Sequence, residues 1–134
     1  MAVEKALRSI LMNDAAVHNL VADRIFPIVR REGSALPAIT YQQISGVRDH
    51  VFEGPSGFVE SRFQINCWAS TYEQADTLAD AVRSVLDGYD GTSEGVVIKC
   101  IHLIDEGDMP SLLADNEALN FHGKRLDIMI WFDE

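Results

Sequence analysis

Arg62–Gly88 reads RFQINCWASTYEQADTLADAVRSVLDG, and its hydrophobic period changes halfway along. From Val59 to Cys67 every second residue is apolar or small. Val59, Ser61, Phe63, Ile65 and Cys67 share one face, and Glu60, Arg62, Gln64, Asn66 and Trp68 share the other. A dry face backed by a wet one is the pattern of an antiparallel strand covered on a single side. After Thr71 the spacing becomes three and four: Ala75, Leu78, Ala79, Val82, Val85 and Leu86 form the stripe of an amphipathic helix. Thr71 and Gln74 have capping-box spacing, and Gly88 suits the left-handed position past a helix end. The small residues Ala75 and Ala79 let this helix lie close against the strand before it. The period switch therefore predicts a helix folded back over a sheet.

The flanking sequence extends this pattern. Val3, Ala6, Leu7, Ile10 and Leu11 predict an opening helix of about three turns, and Asp14 caps a short second one carrying Val17, Leu20 and Val21. DRIFP, Asp23–Pro27, reads as an extended segment, and the polar residues after it as a loop that holds Arg30 and Arg31. Leu36–Gly46, LPAITYQQISG, reads as a strand with Ala38, Thr40, Gln42 and Ile44 on one side and Ile39, Tyr41 and Gln43 on the other. Gly54, Pro55, Ser56 and Gly57 then signal the turn of a long projecting hairpin. GYDGTSEG reads as a loop, Val96–Ile104 as a central strand, Asp105–Lys124 as a long acidic loop, and RLDIMIWF as a closing strand with Leu126, Ile128, Ile130 and Phe132 inward. The expected fold is α+β, a mostly antiparallel sheet with helices packed on one face, in a single domain over residues 1–134.

Composition excludes several function classes. The chain has 134 residues, 47% of them hydrophobic, and a net charge of −10. The adjacent basic pairs are Arg30-Arg31 and Lys124-Arg125, too few to displace the counterions of a nucleic acid, so DNA is not gripped. No apolar run approaches the roughly 20 residues of a membrane span, and the N-terminus lacks a signal peptide's apolar block, which points to the cytosol.

No residue pattern announces catalysis. His18, His50, His102 and His122 fall on separate predicted elements and show no metal-ligand spacing. The acidic groups Asp87, Asp90 and Glu94, and Asp105, Glu106 and Asp108, lack the offsets of a calcium loop. Cys67 and Cys100 are far apart in sequence and read as free thiols within strands; a disulfide between neighbouring strands is geometrically open but disfavoured in the cytosol. The expectation is a non-enzyme with no cofactor and no metal. Trp68 and Trp131 lie on strand faces opposite the core set, where large apolar side chains are covered by another element or another subunit.

Taken in order, DRIFP, LPAITYQ, FQINCWA, the helix TYEQADTLADAVRSVL and the strand RLDIMIWF resemble the tail completion, or tail-to-head joining, proteins of long-tailed bacteriophages. These are similar to the phage tail terminators, small α+β subunits that close into a ring at the end of a tail tube. The residues that match the family pattern are Arg24, Pro27, Pro37, Tyr41, Trp68 and Leu86, most of them expected to maintain the fold. The resemblance implies a tail-terminator-like structural protein, encoded by a phage or prophage and located in the virion tail after assembly in the bacterial host cytoplasm. It implies a homo-oligomer, a hexameric ring, that caps the tail tube and contacts the tail-tube protein and the head-connector protein. DNA would pass through this ring, and there is no membrane partner.

Exposure, not a family motif, nominates the interface residues. These are Arg48, Asp49, His50 and Phe52 on the projecting hairpin, Glu106 and Asp108 in the acidic segment, and the outward Trp68 and Trp131. The competing expectation is a small ligand-binding or regulatory domain, with His50 or His102 in a pocket under the open sheet face.

Overall fold

The computed structural model describes residues 2–28, 35–52, 54–109 and 122–133. The expected basic loop at Arg30-Arg31 and residues 110–121 of the expected acidic loop lie outside them. Two helices come first, α1 (Ala2–Asn13) and α2 (Ala15–Val21). Strands β1 (Ile25–Pro27), β2 (Ala38–Val51) and β3 (Gly54–Ala69) follow, then helix α3 (Tyr72–Leu86) and strands β4 (Gly91–Ser93), β5 (Val96–Met109) and β6 (His122–Asp133). Among the described residues the strands form one six-stranded sheet in the order β1-β2-β3-β6-β5-β4.

The α+β class stands, but the sheet is mixed and not mostly antiparallel as expected. β1 runs parallel to β2, Ile25 beside Ile39 and Pro27 beside Tyr41, while the other neighbouring pairs are antiparallel. β2 begins at the end of the sheet where β1 begins, so the two strands point the same way.

The hairpin β2–β3 and the helix behind it follow from the alternation read above. Val59, Ser61, Phe63, Ile65, Cys67 and Ala69 are buried on one face of β3, and Leu126, Ile128, Ile130 and Phe132 on the same face of β6. All of them except Ser61 and Ala69 share one hydrophobic cluster with Val3, Leu7 and Leu11 of α1, Val17 and Val21 of α2, and Leu78, Val82 and Leu86 of α3. Fully burying each Leu, Ile, Val or Phe contributes about 1.5–3 kcal/mol, so this cluster outweighs every polar contact in the molecule. Caps fix where the helices start. The Thr71 hydroxyl accepts from the Gln74 N–H at 3.2 Å, and the Asp14 carboxylate accepts from the Val17 N–H at 3.1 Å. Gly88 takes φ +84 just beyond α3.

Three further expectations need correction. The hairpin strands pair out to Val51 and Gly54, so the tip lies at Phe52, ahead of the expected Gly54–Gly57 turn. β5 runs through Met109, so Asp105, Glu106 and Asp108 are strand residues and not loop residues. β5 is also not central. β4 covers it only at Val96–Ile98, and the strands flanked along most of their length are β3 and β6. Cys67 and Cys100 are both free thiols, on β3 and β5, with β6 between them.

Candidate interface surfaces

The sheet has an outer face, away from the cluster, and this face decides the fate of the two nominated tryptophans. Trp68 on β3 lies opposite Gly123 on β6, where the missing side chain leaves room for the indole ring. A Cβ built on Gly123 would come 2.6 Å from Cζ3 and 2.8 Å from Cε3 of Trp68. The indole N–H donates to the Thr40 hydroxyl at 3.0 Å, tying β3 to β2. Trp131, toward the other end of the same face, meets His102 of β5 edge-on at 5.1 Å between ring centroids. Both tryptophans are half-buried by residues of their own subunit.

Between them a row of charge crosses three strands. Asp127, only 5% exposed, accepts from Arg62 at 3.1 Å and from Arg125 at 2.6 Å, and Arg125 also bonds Asp105 at 3.2 Å. Hydrogen bonds to Asp105, together with the nearby carboxylates, hold the Arg125 guanidinium above its ordinary pKa. The sequence reading missed this row. Its visible signal was Asp127 standing between Leu126 and Ile128, at an outward position of an otherwise apolar strand.

A second charged group sits where α3 begins beside the ends of β5 and β6. Lys124 Nζ lies 2.8 Å from an Asp108 carboxylate oxygen and 3.4 Å from Asp76, and it donates to the Tyr72 hydroxyl at 3.0 Å. The hydrogen bond to Asp108, then the one to Tyr72, raises the Lys124 pKa; the same contact with Lys124 lowers that of Asp108. Asp108, nominated as a partner contact, thus already serves an ion pair within the subunit. Beside it is an open cleft of about 260 Å³ lined mainly by charged residues, among them Asp80, Arg83 and Glu106. A ligand pocket is mostly apolar with a few converging polar groups, and this cleft is the reverse.

The hairpin residues form a separate surface. Every residue from Ile44 to His50 is exposed, including Arg48, Asp49 and His50, and Phe52 at the tip is fully exposed. His50 and His102 stand on different strands with β3 and β6 between them, so the structure does not bring them into one pocket. Among the described residues no group of three or more His, Cys, Asp or Glu side chains could hold a metal ion. No described helix is long and apolar enough to cross a membrane. Several family-pattern residues hold the fold together. Arg24 donates from Nε to the Pro37 carbonyl at 2.8 Å and from Nη2 to the Leu20 carbonyl at 3.1 Å, while Tyr41 and Leu86 are buried in the core.

Comparison with known proteins bears on the same residues. A family model described as tail completion protein gp17 matches residues 5–132. A chain in a solved structure of the virion of a native gene transfer agent particle shares 16% identity at a TM-score of 0.76, covering 98% of this chain and 95% of its own. A second solved chain shares 13% identity at a TM-score of 0.52, covering 90% of this chain and 92% of its own. At these identities the two structures establish likeness of fold. No curated protein matches the sequence.

Proposed function

The chain belongs to the tail completion protein gp17 family, and on that premise we propose that it forms a ring that caps a phage or prophage tail tube and joins it to the head connector. The observation that carries this reading is the reach of the family match. Residues 5–132 reach into each of the three described helices and six described strands, so the match extends over the fold and not over one part of it.

In this reading the protein is structural and its function resides in interfaces. One domain spans residues 1–134, its helices cover one face of the sheet, and the hairpin tip and outer face turn toward neighbours. The partners are further copies of the chain, in a hexamer, together with the tail-tube and head-connector proteins. Assembly takes place in the bacterial host cytoplasm and the product resides in the virion tail.

The net charge of −10 gives the ring a property suited to passage of DNA. An acidic lumen repels phosphate, so the polymer slides through without being held. A ring also needs one patch meeting a different patch on the next copy, with a rotation that closes.

The test is light scattering across a concentration series, followed by negative-stain imaging with and without purified tail tubes. Sixfold rings, free or seated on tube ends, support the reading. A chain that stays monomeric and leaves tube ends bare overturns it. A ring whose lumen is lined by basic residues overturns the proposed role of the charge.

A further inference from the structure

Among the described residues, the two edges of the sheet are each covered along only part of their length, and the uncovered parts lie at opposite ends. On one edge β1 pairs with β2 only from Ile39 to Tyr41; no described residue pairs with β2 on that side from Gln42 to Val51. On the other edge β4 pairs with β5 only from Val96 to Ile98. Asp87, Gly88 and Tyr89 extend that cover, since Ile101 N–H donates to the Tyr89 carbonyl at 3.0 Å and Leu103 N–H to the Asp87 carboxylate at 3.0 Å. Beyond Leu103, β5 has no described neighbour on that side.

The register through β3 and β6 places the open part of β5, Ile104–Met109, at the end of the sheet where β1 covers β2. The open part of β2 lies at the end where β4 covers β5. The openings are therefore diagonal. Within the sheet β2 and β5 run in opposite directions, so β2 of one copy and β5 of a rotated neighbour meet antiparallel. Tilting the strands against the ring axis supplies the offset along the strands, as it does in closed barrels.

The chemistry of the two openings is complementary. Ile44 is 46% exposed and Val47 63% exposed on β2, and Ile104 is 44% exposed on β5. Arg48, Asp49 and His50 stand on the first opening, and Asp105, Glu106 and Asp108 on the second, so the complementary charges are Arg48 and the carboxylates of β5. Asp105 and Asp108 already face Arg125 and Lys124, whereas no described residue forms an ion pair with Glu106. Bulges between Gln43 and Ser45, between Arg48 and His50, and between Leu103 and Asp105 bound the straight segments to Ser45–Arg48 and Asp105–Met109. Bulges guard an edge against indiscriminate pairing, which leaves a short segment open to a partner of matching length and charge.

We propose that neighbouring copies join by antiparallel continuation of the sheet, Ser45–Arg48 of one copy against Asp105–Met109 of the next, with Arg48 set against Glu106. The proposal rests on the ring reading above and specifies the contact that closes the ring.

The experiment mixes purified tail tubes with the wild-type chain, with Arg48→Glu, with Glu106→Arg and with the double variant, and counts rings by negative stain across a concentration series. Native mass spectrometry checks for a species of six times the chain mass. Each single reversal is expected to raise the concentration needed for half-assembly about tenfold or more, and the double variant to recover most of that loss, because charge pairs at interfaces are strongly coupled. Hydrogen exchange on the wild type gives a readout free of substitutions, with amides of residues 45–48 and 105–109 expected to slow on assembly. Wild-type rings combined with a double variant no better than the singles, or with unchanged exchange at those amides, overturn the edge contact and leave the ring reading standing. Failure of the wild type to form rings on tubes overturns both.

Discussion

Gly123→Ala is the most informative single change to the fold, because it adds one methyl group at a place the structure can price. The new Cβ would sit 2.6 Å from Cζ3 and 2.8 Å from Cε3 of Trp68, and 3.3 Å from the Met109 Cβ. The indole cannot swing aside freely, because its N–H is held by the Thr40 hydroxyl at 3.0 Å. Overpacking of this kind costs about 1–3 kcal/mol, and loss of a neutral hydrogen bond about 1 kcal/mol more. Reduced backbone freedom on replacing glycine returns about 0.5–1 kcal/mol. The net is a destabilisation of about 1–3.5 kcal/mol. At about 2.1 cal/mol/K of unfolding entropy per residue over 134 residues, that lowers Tm by about 4–12 °C. The assay is thermal unfolding followed by far-UV circular dichroism, at concentrations below assembly. Repeating it in a Trp68→Val background separates steric conflict from other causes, since with the ring removed the same change should be neutral or mildly stabilising. An equal loss of Tm in both backgrounds, or a shift under about 2 °C in the wild type, would refute the reasoning.

Asp127→Ala should cost about 2–3 kcal/mol by denaturant unfolding, because Arg62 and Arg125 lose the buried carboxylate they share. Thr71→Ala should cost about 1 kcal/mol through loss of the N-cap of α3, with Thr71→Ser recovering most of it by the same measurement. A thiol reagent should modify Cys100 first and Cys67 only on unfolding, since complete burial pushes the Cys67 thiol up to about 12. Because that pKa is raised in the folded state, its contribution to stability is intact below pH 9 and lost as pH climbs from 9.0 toward about 12; Cys67→Ala should flatten this alkaline limb of a stability-against-pH curve. Lys124 lowers the Asp108 pKa, so that pair contributes above the ordinary carboxylate value and fades as pH falls below it, and Asp108→Asn should flatten the acid limb.

The helix-on-strand unit at Arg62–Gly88 was legible because local period and turn chemistry decide it: Phe63, Ile65 and Cys67 face the core, and Thr71 caps α3 where the spacing changes. The outer half of β5 was not legible, and the reason is physical. Asp105–Met109 has the composition of a loop, and it is strand because β6 brings Lys124 against Asp108 and Arg125 against Asp105. Those cross-strand charge pairs exist only once the register is known. The parallel pairing of β1 was hidden for the same reason, since a three-residue strand carries no mark of its neighbour's direction. Of the nominated residues, Trp68 and Asp108 turned out to be engaged within the subunit, by Thr40 and by Lys124. Arg48, Asp49, His50 and Glu106 were legible as exposed, but their common feature, position on an open sheet edge, depends on strand order.

The charge row and the Gly123 notch also act as a proofreading device. A slip of β6 by two residues against β3 returns every apolar side chain to the core face, so hydrophobic alternation cannot detect the error. In the shifted pairing that brings residue 125 opposite Trp68, the indole would meet a guanidinium stem where it now finds the bare backbone of Gly123, and Asp127 would move away from Arg62. That even-numbered error is thus rejected on the outer face by shape and charge, while odd-numbered errors are rejected by the core. The two faces of the sheet divide between them the specification of a single strand alignment.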